Sequence, residues 1–280
     1  MLPPTFSIKK KIMEKRRAIY KLKILNFLLK ILSFLFPQKA FYLTEYLSSI
    51  LQGKGYGAFS ISEEINACKK LLGSNNVKII FDVGANKGNY TKELIKTYAD
   101  ANYYLFEPNF LNYEKLKSDF SQLKNIRIIN KALSDKNGFD FLYSDKPGSG
   151  LGSLFKRRLD HFNINFDNKE KINLIRLDTF LQDENKDIII DYFKMDVEGA
   201  EIKVLHGIGK FINRIKLIQF EFGGCNIDSR TFFQDFWYYF KNNNFDLFRV
   251  TLNGPKKIIF YNESDEYFKT TNYIALNKNL

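Results

Sequence analysis

Apolar residues along this chain recur with two periods. Short continuous runs near Val77–Asp82, Asn102–Glu107, Ile126–Asn130, Asp191–Asp196 and Lys216–Phe222 are rich in β-branched and aromatic residues. Such runs predict strands buried on both faces. Stretches with helical spacing lie around them, at Ser62–Leu72, Tyr90–Tyr98, Asn112–Phe120, Gly199–Leu205 and Arg230–Asn242. Strand alternating with helix predicts an α/β protein with a Rossmann-like, doubly wound and mostly parallel sheet. A hairpin, Gly138–Ser144 with Ile172–Leu177, is inserted between the third and fourth principal strands. Phe245–Val250, Lys257–Tyr261 and Thr271–Leu276 read as closing antiparallel strands.

Ahead of this body lies a helical arm. Ile24–Phe36 is almost wholly apolar but is interrupted by Lys30 and is shorter than the roughly 20 residues that span a bilayer. No small-residue cleavage site follows it, so a secretory signal fits poorly. The arm is expected to end at Pro37, and Gly53-Lys54-Gly55-Tyr56-Gly57 breaks the chain before the next helix. The expected organisation is an arm over residues 1–52, a connecting helix over 53–76 and a main domain over 77–280.

Charge sharpens this division. Of the net charge of +12, residues 1–40 carry +9, from Lys9, Lys10, Lys11, Lys15, Arg16, Arg17, Lys21, Lys23, Lys30 and Lys39 against Glu14. The body is close to neutral, so nucleic acid is not expected as a partner. A basic segment joined to an apolar one suits either contact with an anionic membrane surface or packing, on the domain or on a second copy of the chain. Two cysteines, Cys68 and Cys225, and two histidines, His161 and His206, are too few for a disulfide framework or a histidine-rich metal centre. A reduced, cytoplasmic setting is the simpler expectation, with the arm at the inner face of the membrane if it touches lipid.

The most informative segment is Ile79-Ile80-Phe81-Asp82-Val83-Gly84-Ala85-Asn86-Lys87-Gly88, followed by Phe106-Glu107-Pro108-Asn109. A strand, a glycine turn, a helix start and a second strand ending in a carboxylate make a nucleotide cradle. Gly84 and Gly88 let backbone approach a ligand, Asn86 can cap the following helix, and Glu107 is placed to accept from both hydroxyls of a ribose. The turn lacks the G-x-G-x-x-G spacing of a dinucleotide site and the Lys-Ser/Thr of a P-loop. Asp82 beside the turn would repel a pyrophosphate and suits the ammonium of a methionine moiety, which favours S-adenosylmethionine over NAD or ATP.

A second constellation follows the run at Asp187–Met195, where Lys194, Asp196, Glu198 and Glu201 cluster at a strand end. Ligands of open α/β sheets bind beyond the carboxyl ends of strands, so these carboxylates should face the same crevice as Gly84 and Glu107. Between Val77 and Phe222 the segments FDVGANKGNYT, FEPN, NKALSD, LDTF, KMDVEGAEIKVLHG and IQFEF stand in a fixed order. In these the chain resembles the FkbM family of S-adenosylmethionine-dependent methyltransferases. The resemblance implies a class I methyltransferase fold and an O-methyltransferase acting on hydroxyls of sugars or secondary metabolites, often in polysaccharide or antibiotic biosynthesis.

On that basis Asp82, Gly84, Asn86 and Gly88 are expected at the methionine end of the cofactor and Glu107 at the ribose. Asn109 belongs either on the adenine side or at the cap of the next helix, and Ala132, Leu133 and Ser134 follow the third strand, where such folds receive the adenine. Asp196 is the first candidate to orient the acceptor or the cofactor's amino group, with Glu198 and His206 as further catalytic candidates. Glu201 can equally be a first-turn helix carboxylate. A divalent metal shared by Glu198 and Glu221 is not favoured, and Lys194 is expected to pair with Glu221 or Asp82. The loop Gly148–Ser153 has the composition of a lid, and the aromatic run from Phe232 to Phe240 reads as the buried face of a helix.

No polar-Pro-Pro-aromatic segment and no Pro-Cys pair occur, which argues against amino-group methylation of adenine or glutamine and against cytosine C5 chemistry. The expected acceptor is a hydroxyl of a sugar in a glycan or lipid-linked glycan, with a secondary-metabolite small molecule as the alternative. The competing reading from another class is an inactive cofactor-binding scaffold in a glycan assembly complex.

Overall fold

The computed structural model describes residues 4–55, 60–73, 76–184 and 188–280. Tyr56, Gly57 and Asp187, named above, lie outside the described residues, as do the side chains of Lys9, Lys10, Lys11, Glu14, Lys15 and Arg16. The chain divides into two units, Met1–Ser49 and Ile50–Leu280.

In the first unit, α1 (Pro4–Leu35) is followed by α2 (Gln38–Leu51). Pro37 therefore does not close the arm. Its carbonyl accepts from the Ala40 N–H at 2.9 Å, so the proline sits at a helix start, where its missing N–H costs nothing.

The second unit begins with α3 (Ile61–Leu72) and continues through β1 (Ile79–Val83), α4 (Asn89–Thr97), β2 (Asn102–Phe106), α5 (Phe110–Asp119) and β3 (Ile126–Ile129). The short β4 (Ala132–Leu133) leads to β5 (Gly138–Ser144), β6 (Asn168–Ile175) and α6 (Leu177–Asp183). Then come β7 (Ile190–Met195), α7 (Glu201–Ile208), β8 (Ile215–Phe222), α8 (Cys225–Ser229), α9 (Phe233–Asn242), β9 (Phe245–Thr251), β10 (Gly254–Ile258) and β11 (Thr271–Asn277).

The main sheet has the order β10-β9-β11-β8-β7-β1-β2-β3. Its neighbours are parallel from β8 to β3 and antiparallel from β8 to β10. This is the expected Rossmann-like, doubly wound and mostly parallel arrangement. From β1 the chain winds outward through β2 and β3 and then returns to β7 on the other side, so the switch point lies between β1 and β7. Every residue of β7 is buried, as befits a central parallel strand, including Asp191 and Lys194 among its apolar residues. Phe81 sits with its ring centroid 5.9 Å from both Phe106 and Phe193, which ties the three central strands together.

The inserted hairpin is real but longer than its sequence suggests. β5 and β6 pair from Gly138↔Leu174 to Ser144↔Asn168, and Leu177 opens a helix instead of ending a strand. The final antiparallel pair also shifts, with β10 beginning at Gly254. Phe233, Phe236 and Phe240 are buried at helical spacing and Phe236 stacks on Phe220 at 4.8 Å, as the aromatic run predicts.

Candidate active site

Two cavities open at the carboxyl ends of β1 and β7, and both are lined by Gly84, Asn86 and Asp196. Gly84 holds them close. Its φ is +81°, its N–H donates to Phe106 O at 2.9 Å, and a Cβ built there would lie 2.0 Å from the Asp196 carbonyl. Only glycine fits this crossing of the two strand ends.

The first cavity encloses about 600 Å³ out to its open mouth. Its apolar wall includes Val83, Phe106, Leu133, Leu142 and Leu154, and its polar side includes Glu107 and Asn109. Both Glu107 oxygens are already engaged. Oε2 accepts from the Asn86 N–H at 2.7 Å and Oε1 from the Asn109 N–H at 2.8 Å. Burial raises the Glu107 pKa to about 7, against those two backbone donors. The loop named above as a lid lies on this cavity, since Ser149, Gly150 and Gly152 line it and a Cβ at Gly150 would meet Asn86 Nδ2 at 2.9 Å.

The expected cofactor residues divide into those that reach this cavity and those that support it. Gly84, Asn86, Glu107, Asn109, Ala132, Leu133 and Asp196 line it. Asp82 lines neither cavity and is fully buried in β1, accepting from Thr91 Oγ1 at 2.5 Å. It orients the first turn of α4 from beneath. Gly88 also stands back, as the residue before α4 with φ +77°. Asn86 does not cap that helix; its Oδ1 accepts from Asn112 Nδ2 at 3.0 Å. Asn109 does cap a helix, its Oδ1 accepting from the Asn112 N–H at 3.0 Å, while its Nδ2 donates to Glu170. Ser134 is turned away and packs under α7, where a Cβ on Gly207 would strike its carbonyl at 2.0 Å.

The second cavity encloses about 740 Å³ out to its mouth and is predominantly polar. Glu64, Tyr90, Lys194, Glu221 and Asn272 line it beside Asp196. Lys194 pairs with Asp196, Nζ to Oδ2 at 3.1 Å, and lies 4.5 Å from the centroid of the Tyr90 ring. The expected pairing with Glu221 or Asp82 is therefore replaced by one with Asp196, although Asp82 stands in register with Lys194 across the sheet. Burial works against the ammonium, but Asp196, Asp82 and Glu64 outweigh it and hold its pKa above the usual lysine value.

Other expected roles change with the geometry. Glu198 has φ +52° and lines the first cavity, where Arg157 Nη1 binds its Oε2 at 2.6 Å and Ser153 Oγ donates to its carbonyl at 2.7 Å. Glu221 lines the second cavity, so the two carboxylates of the disfavoured metal pair face different spaces. Among the described residues no group of three or more His, Cys, Asp or Glu is arranged to hold a metal ion. Glu201 is fully buried, and its Oε1 accepts from the N–H groups of Val197 and Gly199 at 3.1 and 3.3 Å. It secures the turn after β7. His206 is exposed near the end of α7, beside the Tyr239 ring, and lines neither cavity; His161 is likewise exposed.

Sequence reading missed Glu64, Tyr90, Asn272 and Arg157. Glu64 carried a signal, because it shares the buried face of α3 with Ile65, Ala67 and Cys68. A carboxylate among apolar neighbours is an exception that needs a reason.

A glycine crossing at a sheet switch point, an apolar slot beside it and a buried carboxylate at the end of β2 make a ligand cleft of the kind the Rossmann-like α/β class carries. Residues 82–247 match the Methyltransferase FkbM domain, and the chain belongs to that family. It is 26% identical over 153 residues to "2-O-methyltransferase NoeI" of Sinorhizobium fredii (strain NBRC 101917 / NGR234), a match covering 51% of this chain and 63% of that protein. Among solved structures it is similar to "Methyltransferase FkbM" from Methylobacillus flagellatus KT, with 14% identity, a TM-score of 0.43 and coverage of 71% of this chain and 43% of that one. It is also similar to M. capricolum TrmK in complex with S-adenosyl-homocysteine, with 12% identity, a TM-score of 0.40 and coverage of 77% and 68%.

Proposed function

We propose that the chain is an S-adenosylmethionine-dependent O-methyltransferase whose acceptor is a sugar hydroxyl in a glycan or lipid-linked glycan. The observation that carries this reading is the glycine crossing at Gly84, which sets the Glu107 cavity and the Asp196 cavity side by side. The residues suit the cofactor: Glu107 would hold the ribose, Leu133, Leu142 and Leu154 the adenine face, and Gly84, Asn86 and Asp196 the methionine end. S-adenosylmethionine, when bound, supplies a methyl group activated by a sulfonium.

The chain's own part is positioning. Asp196, fixed by Lys194, stands where the two cavities meet and is suited to orient the reacting groups. Arg157 and Ser153 hold Glu198 and its carbonyl, which keeps the turn after β7 in place against the Gly148–Ser153 loop. O-methyl transfer is supported by membership of the family and by the 2-O-methyltransferase relative. Calorimetric titration with S-adenosylmethionine, S-adenosylhomocysteine and NAD, with and without magnesium, tests the reading. Micromolar binding of the adenosyl ligands alone supports it; a folded protein that binds none of them leaves the inactive-scaffold alternative.

For the arm we infer contact with an anionic membrane surface, at its inner face. Leu25, Phe27, Leu28, Leu29 and Phe34 are exposed on helix residues interspersed with Lys21, Lys23 and Lys30. No helix among the described residues is long and apolar enough to cross a membrane. Apolar side chains with interspersed cations suit the lipid headgroup boundary. Sedimentation with phosphatidylglycerol vesicles should fall to background when residues 1–40 are deleted. Unchanged sedimentation, or self-association lost with the deletion, would instead assign the arm to packing or to a homo-oligomer.

A further inference from the structure

The second cavity is not explained by cofactor binding alone. Its floor is a wired polar network centred on Gln219 of β8. Gln219 Nε2 donates to Glu64 Oε2 at 2.7 Å and to Asn272 Oδ1 at 3.3 Å. Its Oε1 accepts from Tyr90 at 2.5 Å and from Tyr192, and those two hydroxyls are 2.8 Å apart. Gln219 and Tyr192 are fully buried, and Glu64 and Asn272 nearly so. Burying this many polar groups costs stability unless each finds a partner, so the network fixes the carboxylate of Glu64 and the amide of Asn272 in set orientations at the cleft wall.

The composition of the cleft is chemically selective. Carboxylates of Glu64, Asp196 and Glu221 line it, against the single buried cation Lys194 and the exposed Lys87. Lys194 is already committed to Asp196. Carboxylates and an amide offer acceptors to hydroxyl donors, and the Tyr90 ring adds an apolar face. Burial pushes the Glu64 carboxyl up to about 7 and Glu221 well above the usual carboxylate range, so above pH 7 an anionic group brought into this space would meet Asp196 and Glu64 in a partly desolvated setting, where like-charge repulsion is strong. Two of the wall residues, Glu64 in α3 and Asn272 in β11, lie outside residues 82–247. The elements that flank the shared domain therefore supply part of this wall.

We propose that this cleft is the acceptor subsite and that it takes a polyhydroxylated compound that is uncharged or bears an amine, in preference to one bearing a carboxylate or phosphate. The proposal rests on the methyltransferase reading above. Glu64 and Asn272, from outside the shared domain, set the selectivity, and Glu221 accepts a hydrogen bond from an acceptor hydroxyl.

The test uses the full chain saturated with S-adenosylhomocysteine, whose binding is first measured by calorimetry. Methyl glucoside, methyl glucosaminide and methyl glucuronide are then titrated in, while the amide resonances of Tyr90 and Asn272 are followed by NMR. The first two compounds should shift those resonances saturably, with the amine binding at least about fivefold more tightly than the glucuronide, a ratio matching one exposed charge contact. At pH 8 Glu64→Gln should narrow that ratio, and Glu221→Ala and Asn272→Ala should weaken all three. Saturable shifts on another face, a glucuronide that binds as well as the amine, or no shift with any of the three would overturn the proposal. Failure of S-adenosylhomocysteine itself to bind would instead overturn the cofactor reading, and the acceptor proposal with it.

Discussion

The Glu107 carboxylate at the end of β2 accepts from the Asn86 backbone N–H at 2.7 Å, locking the turn after β1 to the neighbouring strand. One side chain thus shapes the glycine turn and lines the cavity into which that turn opens.

Glu107 has its pKa raised to about 7 by burial. Ribose hydroxyls are donors and prefer the ionised carboxylate, so affinity for S-adenosylhomocysteine is expected to rise as pH goes from 6 to 8 and to level off above the pKa. Glu107→Ala should weaken binding by about 1–3 kcal/mol through lost charged hydrogen bonds. Calorimetry at several pH values reads both effects, and a pH-independent affinity in the wild type would remove Glu107 from the ribose.

Gly84→Ala places a methyl group 2.0 Å from the Asp196 carbonyl at a φ of +81°. The strand ends must part, at a cost of about 1–3 kcal/mol for the backbone conformation alone. Chemical denaturation should show this loss, and adenosyl binding should disappear. A variant as stable as the wild type that still binds would contradict the close crossing.

Burial raises the pKa values of Glu64 and Glu201 to about 7 from 4.5. Because the folded value lies above the unfolded one, the folded state takes up protons first on acidification. The stability these groups contribute is complete below about 4.5 and is lost as pH rises through about 7. Their contribution should make the thermal midpoint higher at pH 5.5 than at pH 8. Glu64→Gln and Glu201→Gln should each flatten that slope, and scanning calorimetry of the variants would show whether they do.

Gln219→Leu removes the partner of Glu64, Tyr90 and Tyr192 at once. Buried groups left unsatisfied cost about 1–3 kcal/mol each, so urea unfolding should detect a loss at least that large. The first cavity does not include Gln219, so adenosyl affinity should stay within about twofold, far below the tenfold that 1.4 kcal/mol represents. A large drop in affinity without a stability change would mean the network serves the cofactor directly.

His206→Ala gives the contrasting case. The ring is exposed and outside both cavities, so adenosyl affinity and unfolding free energy should change by less than about 0.5 kcal/mol. A larger loss of affinity on calorimetric titration would restore it to the site.

The sequence by itself determined the parallel core and the strand-turn-strand that lines the first cavity, because both depend on local order: apolar runs set the strands, and a glycine turn followed by a strand-end carboxylate places Gly84 and Glu107. It also marked Asp196 through its place just after the buried β7 run. What only the tertiary structure decided was how side chains divide between cavity and support. Asp82 and Gly88 belong to the motif, yet one turns under α4 and the other backs the turn, since neighbouring positions of a strand and turn face opposite ways. Glu64 and Asn272 are 208 positions apart and meet through Gln219 because α3 and β11 both pack against β8. No local pattern encodes that meeting, because hydrophobic periodicity tells which face of an element is buried but not which distant element covers it.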